Sequence, residues 1–342
     1  MIRVHPQVSD LLRRGDVHGV RAALQSAIEL EHAVIPPYLY ALYSLVPGGN
    51  DTVAAIIRSV VGEEMLHLTL AANLLNAVGG RPVLDSPRLL PRYPGPLPGT
   101  VDDGLVLGLA PFSLALVRDT FMRIEQPEHA LGFGSPADPL TIGQFYRRIR
   151  TTLVALGPGA FTGKRHHQVG PGVFDRAVAV TGVESAGQAI DLIIDQGEGT
   201  LTSPLEGTGY DIAHYYRFAE VVHGRRLLRN PEAGPHTPAD QRYVYAGDPV
   251  PVDESAVMAA PVNPCLAGYP PGSEARRACA TFNRTYRGVL KTLHATFNGT
   301  PGELNPAVDA MMSLRKQALD MMTGATTGGV PAGPSFEWET DE

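Results

Sequence analysis

Cysteine and tryptophan are almost missing from this chain: two of the first and one of the second in 342 residues. Two thiols, Cys265 and Cys279, supply neither a disulfide framework nor a thiolate set for a metal. Nothing in the sequence requires them to pair, and they read as reduced thiols. Long apolar runs are also absent. No stretch approaches the ~20 residues of a membrane-spanning helix, and the opening MIRVHPQVSDLLRRGD lacks the apolar core of a secretory signal. A cytoplasmic protein with no membrane partner is expected. Basic clusters are missing along the sequence as well. With 28 Lys and Arg against 35 Asp and Glu, the net charge is −7, which argues against nucleic acid or an anionic membrane surface as a partner.

Glycine (37) and proline (30) are plentiful, and they cluster. PGGND, SPRLLPRYPGPLPGT, GPGAFTGKRHHQVGPG and MAAPVNPCLAGYPPGSE read as long loops between helical segments. His166 and His167 fall in one of these loops and read as solvated. The run FDRAVAVT, from Phe174 to Thr181, reads as a short strand. There is no internal repeat at a fixed period. A hydrophobic content of 44% is enough for a sizeable core.

The apolar stripes of the helices carry an oddity. In the first, Leu24, Ala27, Ile28, Glu31 and Ile35 share a face, with a carboxylate inside it. Glu29 lies roughly 200° around from Glu31 and can stay in water. His32 is off the face. The second helix, about residues 52–77, lines up Val53, Ile56, Val60, Glu64, His67, Leu68, Ala71 and Leu74. Glu64 and His67 project from one patch, and Glu63 is expected to face elsewhere. The third, near 110–126, aligns Leu114, Val117, Phe121 and Glu125. The fourth aligns Ala186, Ile190, Ile194 and Glu198, breaks at Gly197 and Gly199, and resumes with His214, Phe218 and Val221 on one face.

Burying an ionised carboxylate costs several kcal/mol unless it is paired or metal-bound. Four stripes interrupted by Glu31, Glu64, Glu125 and Glu198, joined by His67 and His214, match the inventory of a di-metal carboxylate helical bundle. Oxygen and imidazole donors suit iron or manganese better than a thiolate-preferring ion. Di-iron is the first expectation, with manganese or a mixed iron–manganese pair as the other assignments. Asp211-x-x-His214 also has the i, i+3 spacing, so Asp211 competes with Glu198; it stands at a helix start, where an N-cap is its ordinary role.

Pro36 and Pro37 lack the N–H that would bond the carbonyls of His32 and Ala33, so a kink is expected one turn after Glu31. A pocket opening there would be lined by Tyr38, Tyr40 and Tyr43. Beyond the bundle, FNRTYRGVLKTLHATFNG and ELNPAVDAMMSLRKQALDMMTG read as two more helices, the second with a methionine-rich apolar face.

Together, AIELEHAVIPPYLYALYSL, GEEMLHLTLAANLLNAVGGRPVL, FMRIEQPE, IDQGEGT followed by HYYRFAEVVHG, and the terminal GPSFEW resemble the ferritin-like family named after iminophenyl-pyruvate dimer synthase. The resemblance runs from about residue 17 to the C-terminus. It extends to the domain found in the imine-coupling enzymes of violacein and rebeccamycin biosynthesis. It implies an all-α fold: a ferritin-like four-helix bundle at about 17–228, an additional helical extension at about 275–325, and a single domain spanning residues 1–342. It also implies an amino-acid-derived small molecule as substrate, in secondary metabolism such as antibiotic biosynthesis.

The leading expectation is therefore an oxidative enzyme. Six residues (Glu31, Glu64, His67, Glu125, Glu198 and His214) hold two metal ions that meet O2 or peroxide. Tyr38 and Tyr40 line the pocket, and Arg217, in preference to Arg123, orients a substrate carboxylate. Two other classes compete: an iron-storage protein, and a scaffold whose ions are structural. The long loops and added helices argue against a closed cage and fit a monomer or small homo-oligomer.

Overall fold

The computed structural model describes the chain apart from residues 1–2, 102–104, 128–139, 198, 200–202, 205–211, 235, 239–240, 325, 328 and 340–342. Two long helices dominate it, α2 (Val17–Ser44) and α3 (Asp51–Ala77), packed along one another. The short α1 (Pro6–Arg13) lies against the start of α2. Asp16 caps α2, its Oδ1 accepting the Gly19 N–H at 2.7 Å. From Glu64 to Ala77 every residue of α3 is buried, so this half of the helix is enclosed on all sides rather than amphipathic.

Four further segments enclose it. A broken helix runs through α4 (Leu114–Leu116), the π-helical Val117–Phe121 and α5 (Met122–Ile124), entered by way of the Ser113 side chain, which accepts the Leu116 N–H at 3.0 Å. Glu125 follows immediately, so the helix expected over 110–126 is shorter and has a widened turn in its middle. Next come α6 (Ile142–Leu156), α7 (Val183–Gly197) and α8 (His214–His223). Helix α6 packs on α2 and α7, while α8 packs on α3, α5 and the π-helical turn. The sequence reading did not anticipate α6. Its start is a capping box, in which Thr141 Oγ1 accepts from the Gln144 N–H and Gln144 Oε1 accepts from the Thr141 N–H.

Helices α9 (Glu274–Thr296) and α10 (Leu304–Thr323) pair with each other, and α10 also touches α2. Strands are few and short. β1 (Arg3–Val4) pairs with β2 (Thr100–Val101), and β5 (Thr326–Thr327) with β6 (Val330–Pro331). The longest pair is β3 (Arg225–Arg229) antiparallel to β4 (Tyr243–Pro249). The stretch at 174–181 is not a strand. Its backbone is satisfied by amide side chains instead of a neighbouring strand. Val178 O accepts from Asn73, and Val180 exchanges hydrogen bonds with Gln168 through both its N–H and its C=O.

Pro36 and Pro37 lie inside the unbroken α2, both buried. The Ala33 carbonyl, left without its helical donor by Pro37, accepts the Tyr93 hydroxyl at 2.7 Å. Cys265 is exposed and Cys279 buried, and both are free thiols. Among the described residues no helix is long and apolar enough to cross a membrane.

Candidate metal centre

Five of the six expected acid and imidazole side chains converge between α2, α3, α8 and the end of α5. Glu31, Glu64 and His67 form one group of potential ligand atoms, and Glu64, Glu125 and His214 a second; within each, the atoms lie within 4.8 Å of one another. Glu64 belongs to both. The two imidazoles stack, with centroids 5.3 Å apart and 22° between planes. Glu198 and its competitor Asp211 both lie outside the described residues.

Each histidine is held from behind. His67 Nε2 lies 3.1 Å from Gln196 Oε1 on α7, and His214 Nε2 lies 3.0 Å from Glu63 Oε2. In a neutral ring each acceptor would hold the proton on Nε2 and turn the Nδ1 lone pair inward. His67 Nδ1 stands 3.8 Å from Glu31 Oε2 and 3.7 Å from Glu64 Oε2, beyond hydrogen-bond length. His214 Nδ1 is 2.9 Å from Glu64 Oε1 and 3.5 Å from Glu125 Oε2, ion-pair distances for a protonated ring. Imidazole and carboxylate atoms thus converge in two groups that share Glu64. A lone pair aimed at carboxylates is repulsive unless a positive charge lies between them.

The carboxylates are braced by phenols. The Tyr38 hydroxyl donates to Glu125 and the Tyr146 hydroxyl to Glu31. Burial pushes Glu31 up, His67 and Tyr146 pull it down, Glu64 opposes them, and the result is about 7. Glu125 is raised by burial and by the charge of Glu64. Glu64 is lowered because hydrogen bonds and charge from His214 and His67 outweigh its burial. His67 would be lowered by burial, but Glu31 and Glu64 lift it to about 10; His214 is raised in the same way by Glu125, Glu63 and Glu64. Without metal, protons on the imidazoles supply the positive charge that this cluster of acids demands.

A cavity of about 60 Å³ opens on Glu31, Glu64, His67 and Glu125. That is room for a few waters or ions. Its wall is aliphatic, with Leu30, Val34, Leu97, Ile142, Ile193 and Ile194 around the acids. It opens before the prolines, not after them. Tyr38, Tyr40 and Tyr43 are all fully buried. Only Tyr38 reaches the acids, through Glu125; Tyr40 turns away, its hydroxyl donating to the Pro261 carbonyl.

Arg217 also stands apart from this cavity. Its Nε donates to Ile212 O at 2.6 Å, and Nη1 donates to Ser59 Oγ at 3.1 Å and Glu63 Oε1 at 2.9 Å. It therefore neutralises Glu63, which the sequence reading set aside. His214 and Arg217 together outweigh the burial of Glu63 and bring it down to about 2. Tyr146 and Gln196 were also missed. Tyr146 was findable: Phe145, Tyr146, Ile149, Thr152 and Leu153 form the buried stripe of a helix with a capping-box start. Gln196 was findable too, as a buried amide in the last turn of α7.

Known proteins bear on this geometry. The model of the family described as Ferritin-like matches residues 24–223. The chain is 27% identical to dichlorochromopyrrolate synthase of Lentzea aerocolonigenes, over 92% of this chain and 35% of that one. It is 29% identical to 2-imino-3-(indol-3-yl)propanoate dimerase of Chromobacterium violaceum, over 58% of this chain and 22% of that one. The chain thus spans about a third or less of these curated relatives. A crystal structure of a ferritin-like protein from Caulobacter vibrioides superposes with a TM-score of 0.64 at 25% identity, covering 92% of this chain and 96% of that one.

Proposed function

The chain belongs to the ferritin-like family, and from that premise we propose that it is a di-metal oxidative enzyme acting on a small, amino-acid-derived substrate. Glu31, Glu64, His67, Glu125 and His214 would hold the two ions, with Glu64 shared and Glu198 as the sixth ligand. The observation that carries this reading is the pair of histidines, each tied at Nε2 and presenting Nδ1 to two buried carboxylates. Metal-ligating histidines are held in this way. Oxygen and imidazole donors, with no thiolate among them, suit iron or manganese.

When bound, such a pair supplies Lewis acidity and redox equivalents toward O2 or peroxide. The protein's own part is positional. Tyr38 and Tyr146 hold one oxygen each of Glu125 and Glu31. Gln196 and Glu63 fix the imidazole planes, and the aliphatic wall keeps bulk water from the acids. The substrate class and the setting in secondary metabolism are supported by relatives named as a synthase of dichlorochromopyrrolate and a dimerase of an indolyl imino acid.

Metal analysis of the wild type and Glu64→Ala after iron-supplemented expression tests the assignment. The wild type should carry about two ions per chain. The variant should lose both while keeping its helical circular-dichroism signal, and reduced wild type should consume O2. A Glu64→Ala protein that retains its full metal content sinks the proposal.

A further inference from the structure

At the C-terminal end of α3 a second cavity, of about 600 Å³, is walled by Arg81, Lys164 and His167 together with the neutral Thr162 and Asn298. It is separate from the acid cluster: His67 and Ala77 are ten residues apart on α3, about 15 Å at the helical rise. The sequence shows no basic cluster here because the cations arrive from two chain segments, after α3 and within the 157–172 loop. A third cation, Arg21 of α2, stands beside the lining residue Gly79. A Cβ on Gly79, whose φ is +74°, would lie 2.9 Å from both Arg21 Nη2 and Thr162 Oγ1. Glycine at that position keeps the guanidinium and the hydroxyl open to the cavity.

The positive charges are not neutralised by the protein. Among the described residues no carboxylate lines the cavity, and neither Arg81 nor Lys164 forms an ion pair. Asp85, an acid that acts on neighbouring His294, forms no ion pair with Arg81. Arg81 Nε donates to Asn298 Oδ1 at 3.2 Å, and Arg21 Nε to Val78 O at 2.8 Å. Each guanidinium is thus anchored by one edge, with its terminal nitrogens left for another acceptor. His167 is held below its ordinary value by burial and by the nearby His166, Lys164 and Arg81. A concave concentration of cations in a chain of net charge −7 makes a local field that draws anions.

We propose that this cavity binds a phosphate group carried on a small molecule, with Arg81, Lys164 and Arg21 as its cationic contacts. Guanidinium and ammonium groups with the Thr162 hydroxyl suit the several acceptor oxygens of a phosphate dianion, and the volume exceeds what a bare ion fills. The inference stands independently of the metal centre.

Isothermal titration of the full chain with inorganic phosphate, a simple phosphomonoester and malonate tests it, at fixed ionic strength. The wild type should bind the phosphomonoester saturably and more tightly than malonate. Arg81→Ala and Lys164→Ala should each weaken it roughly tenfold, the scale of one lost charge-assisted contact. Arg58→Ala, an exposed arginine in the first half of α3, should leave it unchanged. In wild type, the His167 imidazole resonances should shift on saturation. Thermal midpoints equal to wild type establish that the variants are folded. Non-saturable heats, tighter malonate binding, or equal affinity in all variants each overturn the proposal.

Discussion

The two halves of the buried cluster use the same residue types in different surroundings. On the His67 side, regular helices supply everything, the Nδ1-to-carboxylate distances are 3.7 and 3.8 Å, and a neutral amide stands behind the ring. On the His214 side, Glu125 follows a π-helical turn and His214 opens a short helix. There the distances shrink to 2.9 and 3.5 Å, and a Glu63–Arg217 ion pair stands behind the ring. A carboxylate behind an imidazole makes it a stronger donor than an amide does. The difference teaches that the outer layer, not the ligand list, distinguishes the two positions.

The bluntest way to break the comparison is to remove each ring. His67→Ala and His214→Ala should each lower bound metal from about two ions per chain toward one. The ion that remains should give a different spectrum in the two variants, because the group behind its imidazole differs. Identical spectra would mean that the two halves are not separable sites.

His32 sharpens the comparison from outside the cluster. It is equally buried, but it faces Tyr286 at 2.7 Å and no carboxylate, and burial takes it down to about 4 where His67 goes up. Because its folded value lies below its unfolded one, its contribution is present above pH ~6.5 and is lost as pH falls through about 4. The shift corresponds to about 3 kcal/mol. Urea unfolding of metal-free protein should therefore weaken between pH 7 and 4 more steeply in wild type than in His32→Gln. Parallel slopes would remove His32 from the account.

A smaller effect is expected behind the rings. Glu63→Gln should weaken metal binding by 10- to 100-fold, the usual scale for a carboxylate behind a ligating histidine. Gln196→Ala should cost less, since it removes a neutral contact. Competitive chelator titration orders the two, and the reverse order contradicts the charged-layer argument. Smallest of all, Tyr146→Phe and Tyr38→Phe each delete one hydroxyl donor and should lower stability by about 0.5–1.5 kcal/mol. Denaturant midpoints report it, and unchanged midpoints in both would show that the phenols do not brace their acids.

Glu31, Glu64, His67, Glu125 and His214 were legible in the sequence because each interrupts an apolar stripe on its own helix, a local pattern. Glu63 was not. It sits about 100° around α3 from Glu64, and its partners, His214 and Arg217, arrive some 150 residues later on α8. Arg217 misled for the same reason: an arginine one turn after a ligand looks like a substrate contact until its acid is known. The strand expected at 174–181 failed because Asn73 and Gln168 satisfy its backbone, again a distant pairing. Loops cover the bundle as expected, but where the cavity opens depends on which loop residue lies against Leu30 and Val34.

That choice traces back to Pro37. By vacating the Ala33 carbonyl, it creates an acceptor inside α2 that the Tyr93 hydroxyl fills from the loop. Four residues later the same loop delivers Leu97 to the rim of the acid-lined cavity. The flaw in the helix therefore ties the loop that carries Leu97 to α2. A substitution at Pro37 that restored an N–H there would compete with Tyr93 for the Ala33 carbonyl, and so would reach the cavity lining through the loop that carries Leu97.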